Sequence, residues 1–388
     1  MALELTPLEN LSPNVARSAG PKAPAPLKLM AARGLAPLGP ADLLTTLYQL
    51  TFSDDDNVKT AAFKTATELP EKILSGGLND QLDPRVLDFF ARRVFQRGPL
   101  LERILLNKAT ADETFQHLAG LVEEASLEII AKNEERLLRF PPIIAALYMN
   151  PKTRMSTAQR ALELAVRNRV RVDGIPAFDE AARAIQQSGA TTPEQLAKED
   201  ASFARAAEVG LDQVTGLQLI AVDAPVPGEE EPKIEEQLAA VEEAVANPEV
   251  LDEEKKMKIS ELSPAGKIRL ATLGNAFARA VLIRDTNRQV AMAAIRSPAV
   301  TDMEVLRYAS NRGLDDDVVR YIANQRQWVR LYGVKLALVN NPKCPLPVSM
   351  RFLTHLNVRD LKSLSRSKGI PSALSMAAKN MLAQRNPG

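Results

Sequence analysis

Aromatic side chains are scarce in this sequence: eleven phenylalanines, five tyrosines and one tryptophan among 388 residues. A core of ordinary size must then be filled by leucine and alanine, which favours helices. Glycine is sparse and alternating runs of Val, Ile and Thr are nearly missing, so no sheet is expected. The single cysteine, Cys344, excludes an internal disulfide and gives no sign of an oxidising compartment. Only two histidines occur, His117 and His355, and neither has a Cys or His neighbour at metal-ligand spacing. Neither nominates a serine for a Ser-His-Asp arrangement. No GxGxxG and no GxxxxGK followed by Ser or Thr is present, which removes the usual phosphate cradles. No cofactor and no metal is expected. No run approaches the roughly 18 apolar residues of a membrane span, and MALELTPLENLSP lacks the basic and apolar regions of a signal peptide. The expectation is a soluble, cytoplasmic protein with no membrane partner.

Residues 1–40 are rich in Pro and Ala with little apolar periodicity, and read as a disordered tail. From residue 41 the pattern is helical. Pro40 suits a first helical turn, and Ser53 or an early Asp of FSDDDN caps the next helix. Val58, Ala61, Ala62, Ala66 and Leu69 then form one apolar stripe, and Pro70 ends it. Short capped helices follow to residue 173, an N-terminal helical-repeat half.

Two stretches far apart then match. ATADETFQHLA (109–119) aligns with AVTDMEVLRYA (299–309), placing Ala119 opposite Ala309. MNPKTRMS (149–156) aligns with NNPKCPLP (340–347), placing Thr153 opposite Cys344. A unit of roughly sixty residues thus occurs twice, at 105–168 and 295–359. LNKATADE, LYMNPKTR, IRSPAVTD and VNNPKCPL all precede a helix. In the three that contain proline, the residue before it leaves the α region and the proline blocks continuation, which makes a chain-reversing turn. By this alignment His355 falls opposite Leu164, a core-like position; both histidines read as structural or surface residues, and Cys344 as a structural thiol.

NPKTRMSTAQRAL, SPAVTDMEVL and NPKCPLPVSMRFL resemble the repeats of bacterial helical-repeat proteins of the HEAT-like and leucine-rich-repeat-variant kind. The stretch 259–295 also looks like a helical module of delta-type proteobacterial proteins. The resemblance covers roughly 45–170 and 260–385. It implies an all-α solenoid of antiparallel helix pairs in two related halves, and a binding role more often than a catalytic one. The cysteine cluster that some repeat-variant proteins carry is missing here.

The formal net charge of +1 hides a strong asymmetry. Residues 174–257 hold 19 acidic against 6 basic residues, a net of −13, and 174–258 reads as an acidic insert with isolated helices such as 235–246. Residues 258–388 hold 21 basic against 8 acidic, a net of +13, and 259–388 reads as a basic C-terminal half. The carboxylates of DDDN (54–57) and LDDDV (314–318) are explained by helix N-termini. Trp328 reads as core, with Arg326 and Arg330 at its sides. Arg351, Arg359, Lys362, Arg366 and Lys368 follow the second Asn-Pro-Lys turn, whose own Lys343 adds to them. These eight cations are the candidate binding residues. The expected function is a non-enzymatic scaffold or adaptor binding an acidic protein partner in a helical-repeat groove. Sequence-independent nucleic-acid binding stays open, as does intramolecular pairing of the insert with the basic half. A helical-repeat enzyme is the least favoured reading, with Asp360 its one candidate acid or base.

Overall fold

The structure, a computed structural model, describes residues 4–79, 81–188, 192–211, 253–367 and 369–385. Among the described residues are 24 α-helices, one short 3-10 turn and no strand. The protein is all-α, as composition implies. It divides into two compact units, Met1–Ile175 and Pro176–Gly388. The first ends just past Gly174, whose φ of +95° is one that L side chains rarely adopt.

Prolines in this chain start helices. Pro13, Pro40, Pro84, Pro142, Pro193 and Pro264 are each the first residue of a helix, where the missing N–H has no intrahelical partner to lose. This corrects the reading of residues 1–40 as a disordered tail. Helices Pro13–Ala19 and Ala25–Ala32 form there and pack on Pro40–Leu50 and Asp56–Glu68. Ser12 caps the first and donates its hydroxyl to Asp42 Oδ1 at 2.7 Å. Tyr48 and Gln49 donate to the carbonyls of Glu4 and Thr6. Val15, Ala31 and Ala32 are buried. Alanine loses almost no side-chain entropy on ordering, so a Pro/Ala-rich stretch folds once its prolines stand at helix starts.

In unit 1, Glu71–Gly77 packs on Pro40–Leu50, Gly98–Leu106 on Glu71–Gly77, and Glu124–Ala131 on Gly98–Leu106. A second series runs Pro84–Val94, Asp112–Ala119, Pro142–Met149. Most of these contacts join a helix to the next but one, and Asp112–Ala119 and Pro142–Met149 have two helices between them. Gly77 permits the first contact, because a Cβ there would lie 2.6 Å from Leu44 Cδ1 and 2.9 Å from the Pro40 carbonyl. Tyr48, Phe52, Phe63, Phe89 and Phe90 form a ring cluster with centroids 5.2–6.0 Å apart, capped by Arg93 with its Cζ 3.4 Å from the Phe89 centroid.

Unit 2 begins inside the expected acidic insert, a second correction. Phe178–Ser188 packs on Pro264–Leu273 and Arg288–Ile295, and Pro193–Gly210 on Glu253–Ser260, Pro264–Leu273 and Ala276–Leu282. Phe203 is buried beneath the guanidinium of the fully buried Arg269, 4.8 Å from its ring centroid. Asn275 donates its backbone N–H to the Gly210 carbonyl at 2.6 Å and its amide to Val209 at 3.0 Å. Phe178–Ser188 and Pro193–Gly210 both carry an apolar face, with Ala181, Ala184 and Ile185 buried on the first and Phe203 and Ala206 on the second, which net charge does not reveal. The 235–246 helix expected from sequence lies outside the described residues.

The matched stretches fall one in each unit, and their turns are built alike. Asn150 and Asn341 follow Met149 and Asn340, the last residues of their helices, and take extended backbone, as the following prolines demand. Asn150 Nδ2 donates to the Ala119 carbonyl at 2.8 Å, and Asn341 Nδ2 to the aligned Ala309 carbonyl, also at 2.8 Å. Their Oδ1 atoms accept from the N–H of Lys152 and Lys343 at 2.9 and 3.0 Å, and their carbonyls accept from Thr153 and Cys344. Asn107 repeats the pattern with Asn79, and the Ser297 hydroxyl donates to the Thr272 carbonyl at 3.2 Å. All four turn side chains are buried and reach 25 to 32 residues back along the chain.

Buried charge is paired. Arg279 makes two hydrogen bonds to Glu304, at 2.8 and 2.9 Å, and a third to the Gly274 carbonyl. Glu304 also closes the capping box with Thr301 at the start of Asp302–Ser310. Burial alone would raise the Glu304 carboxyl, but the hydrogen bonds and charge of Arg279, with Thr301, outweigh it and hold the group below the usual carboxylate range.

Asn150→Ala and Asn341→Ala should each destabilise by about 1–3 kcal/mol in denaturant unfolding, because buried carbonyls lose their donor. Asn341→Asp should do at least as much harm, since a carboxylate cannot donate to Ala309. Effects within about 0.5 kcal/mol, the ordinary surface range, would contradict the assigned role. Arg279→Ala should cost about 3–5 kcal/mol by leaving Glu304 uncompensated, and replacing both partners by apolar residues of similar volume far less. The Glu304 contribution is complete above the unfolded carboxylate value of about 4.3 and is lost as pH falls through the lower folded value. Glu304→Gln should therefore flatten the acid limb of a stability–pH profile.

Candidate cationic binding cleft

The site is built on three consecutive elements of unit 2. Asp316–Asn324 ends at Gln325, whose carbonyl accepts from the N–H groups of Trp328 and Val329 and tightens the chain into a turn. Trp328, 6% exposed, anchors that turn edge-on against Tyr321, with centroids 6.0 Å apart. With the indole directed inward, Arg326 and Arg330 are left exposed on either side. Helix Tyr332–Asn340 follows, then the Asn341-Pro342 turn, then helix Leu346–Leu353.

Between these elements lies a cleft of about 430 Å³ lined by Ala323, Asn324, Arg326, Val329, Lys335, Arg351, Phe352 and His355. Ala323 and Phe352 are buried, Val329 and Lys335 half-buried, and Arg326, Arg351 and His355 exposed. The Arg351 guanidinium stands 5.6 Å from the Phe352 ring centroid. No carboxylate lines the cleft among the described residues. Many other cations of unit 2 are paired: Lys267 with Asp285, Arg279 with Glu304, Arg288 with Asp317 and Arg296 with Glu180. Among the described residues, Arg326, Lys335 and Arg351 take part in no ion pair.

The eight sequence-selected cations therefore separate. Arg326 and Arg351 come together in the cleft. Arg330 is exposed but does not line it. Lys343 is held by its own turn, donating to the Leu314 carbonyl and lying 3.5 Å from Asp316. Arg359, Lys362 and Arg366 share the exposed face of helix Val358–Arg366, opposite the buried Leu361 and Leu364, and line no part of the cleft. Lys368 lies outside the described residues. Sequence reading missed Lys335 and His355. Lys335 was recoverable as the one charged residue of the apolar helix YGVKLALVN. His355, read as structural or surface, is exposed and not core-like as its alignment to Leu164 implies: it stands in the turn between helix Leu346–Leu353 and the Asn357 cap of the next.

Other candidates resolve into structure. Tyr332 donates its hydroxyl to Asp360 and accepts from the Asn357 N–H at 3.1 Å, while Asn357 Oδ1 accepts from the Asp360 N–H. Burial, with the Asp360 carboxylate adding to it, pushes the Tyr332 hydroxyl up to about 12. Asp360 is thereby a fastening point for helix Val358–Arg366. Burial raises the Cys344 thiol. Asp55 and Asp315 cap their helices, as the DDDN and LDDDV clusters imply. Among the described residues no group of three or more His, Cys, Asp or Glu stands together as a metal site, and no helix is long and apolar enough to cross a membrane.

No family model, curated protein or solved structure matches the chain.

Tyr332→Phe should lower unfolding stability by about 1–2 kcal/mol, since Asn357 N–H and Asp360 lose a shared partner. Thermal melts of the two proteins provide the check, and an unchanged midpoint would remove the fastening role.

Proposed function

We propose that the protein is a non-enzymatic, cytoplasmic adaptor whose basic C-terminal region takes an acidic segment of a partner protein. The observation that carries the reading is the cleft around Arg326, Lys335 and Arg351, three cations with no carboxylate lining the space between them. In a chain whose other buried and half-buried cations are so often paired, such a cleft is favourable for an incoming carboxylate. The architecture proposed with it is a HEAT-like solenoid in each unit, the two related by the repeat. Next-but-one helix packing and the common turn amide support it.

Nucleic-acid binding is the second reading, favoured by the exposed stripe Arg359, Lys362 and Arg366. Against it, Trp328 is buried and no exposed aromatic stands on that stripe to stack on a base. The acidic stretch 212–252, eleven acidic residues against one basic, is an acidic ligand carried by the same chain and would compete for the cleft.

Binding of a fluorescein-labelled oligoglutamate peptide should weaken about tenfold or more in the double variant Arg326→Glu/Arg351→Glu, measured by anisotropy at low salt. It should strengthen when residues 212–252 are replaced by a short Gly-Ser linker, a change that spares the packed helix Pro193–Gly210. Stronger binding of duplex DNA, lost on reversal of Arg359, Lys362 and Arg366 and steeply salt-dependent, would instead establish the second reading.

A further inference from the structure

We infer that the cleft selects acidic segments in which an aliphatic side chain stands between carboxylates. This rests on the cleft being the binding site, and it specifies the ligand further. The lining combines apolar Ala323, Val329 and Phe352 with the cations Arg326, Lys335 and Arg351, and with Asn324 and His355. Ala323 and Phe352 are packed into the unit and Val329 is half-buried, so Val329 offers most of the apolar contact. A purely anionic ligand would satisfy the cations and leave that apolar contact wet. A purely apolar one would strip water from three charges without replacing it. A ligand with one aliphatic group flanked by carboxylates satisfies both parts of the lining. At about 430 Å³ the space is at the lower end of the usual pocket range of roughly 300–1,000 Å³, so it admits a few side chains of an extended segment.

The test uses the full chain and three labelled peptides of equal net charge: leucine between two pairs of glutamates, serine in its place, and glycine in its place. Only the leucine covers the apolar part of the lining, so the leucine peptide should bind at least about tenfold more tightly than the serine and glycine peptides. In Val329→Ser that preference should shrink while the serine peptide binds as before. The peptide comparison needs no variant, so it stands even where a variant folds poorly. If Arg326→Glu/Arg351→Glu weakens all three peptides but leucine and serine bind alike, the aliphatic selection is overturned and the cleft remains the site. If charge reversal leaves all three unchanged, the cleft reading fails and this inference with it. Tighter binding of inorganic tripolyphosphate than of the leucine peptide would also overturn the selection.

Discussion

The fold depends on one buried amide group at the end of a helix. A helix stopped by Asn-Pro leaves its last carbonyls and the next N–H groups without intrahelical partners, and a buried turn cannot leave them unpaired. Asn150 and Asn341 solve this locally, through Oδ1 and the main-chain carbonyl, and at long range through Nδ2. The long-range bond ties each turn to the end of a helix 31 or 32 residues earlier, so the interval between helices is set by hydrogen bonds as well as by packing. Asn107 does the same with its own amide and Ser297 with a hydroxyl, because the requirement is a short side-chain donor at that position.

Charge plays a corresponding role between the turns. Arg279 with Glu304, Arg136 with Asp112, and Asp88 with Arg92 and Thr114 place ionised groups where alanine and leucine dominate. Each is hydrogen-bonded to its partner, and each links a helix to one about 25 residues away or stiffens a helix that does so. Such pairs add little net stability over apolar packing, but they penalise any register that separates them. In an array of similar short helices, where many registers bury similar area, this is a useful constraint.

Much of this was legible in the sequence. The helices of 41–173 and 259–388, their caps at Asp55 and Asp315, and the burial of Trp328 and Cys344 follow from local rules. The repeat alignment placed Ala119 opposite Ala309, and those two carbonyls receive the turn amides. In the first forty residues proline content alone suggests disorder, but Pro13, Pro24 and Pro40 stand at helix starts, where proline favours order. Residues 176–211 were misread because net charge says nothing about a helix face, and Phe203 and Ala206 are buried on a helix whose other faces are charged.

The site divides along the same line. Sequence by itself determined that the C-terminal region is strongly basic, and that Arg326 and Arg330 flank a buried indole. These follow from composition and from the short-range periodicity of a helix or turn. Which cations share a space depends on side chains meeting across three elements, and only the tertiary structure decided it. Arg326, Lys335 and Arg351 converge, Lys343 is held by the turn that presents it, and Arg359, Lys362 and Arg366 stand apart on their own helix. The physical reason is that a charge's neighbours across a groove are set by the rotation and spacing of packed helices. Those are fixed here by the turn amides and buried pairs, and not by the residues beside it in the chain.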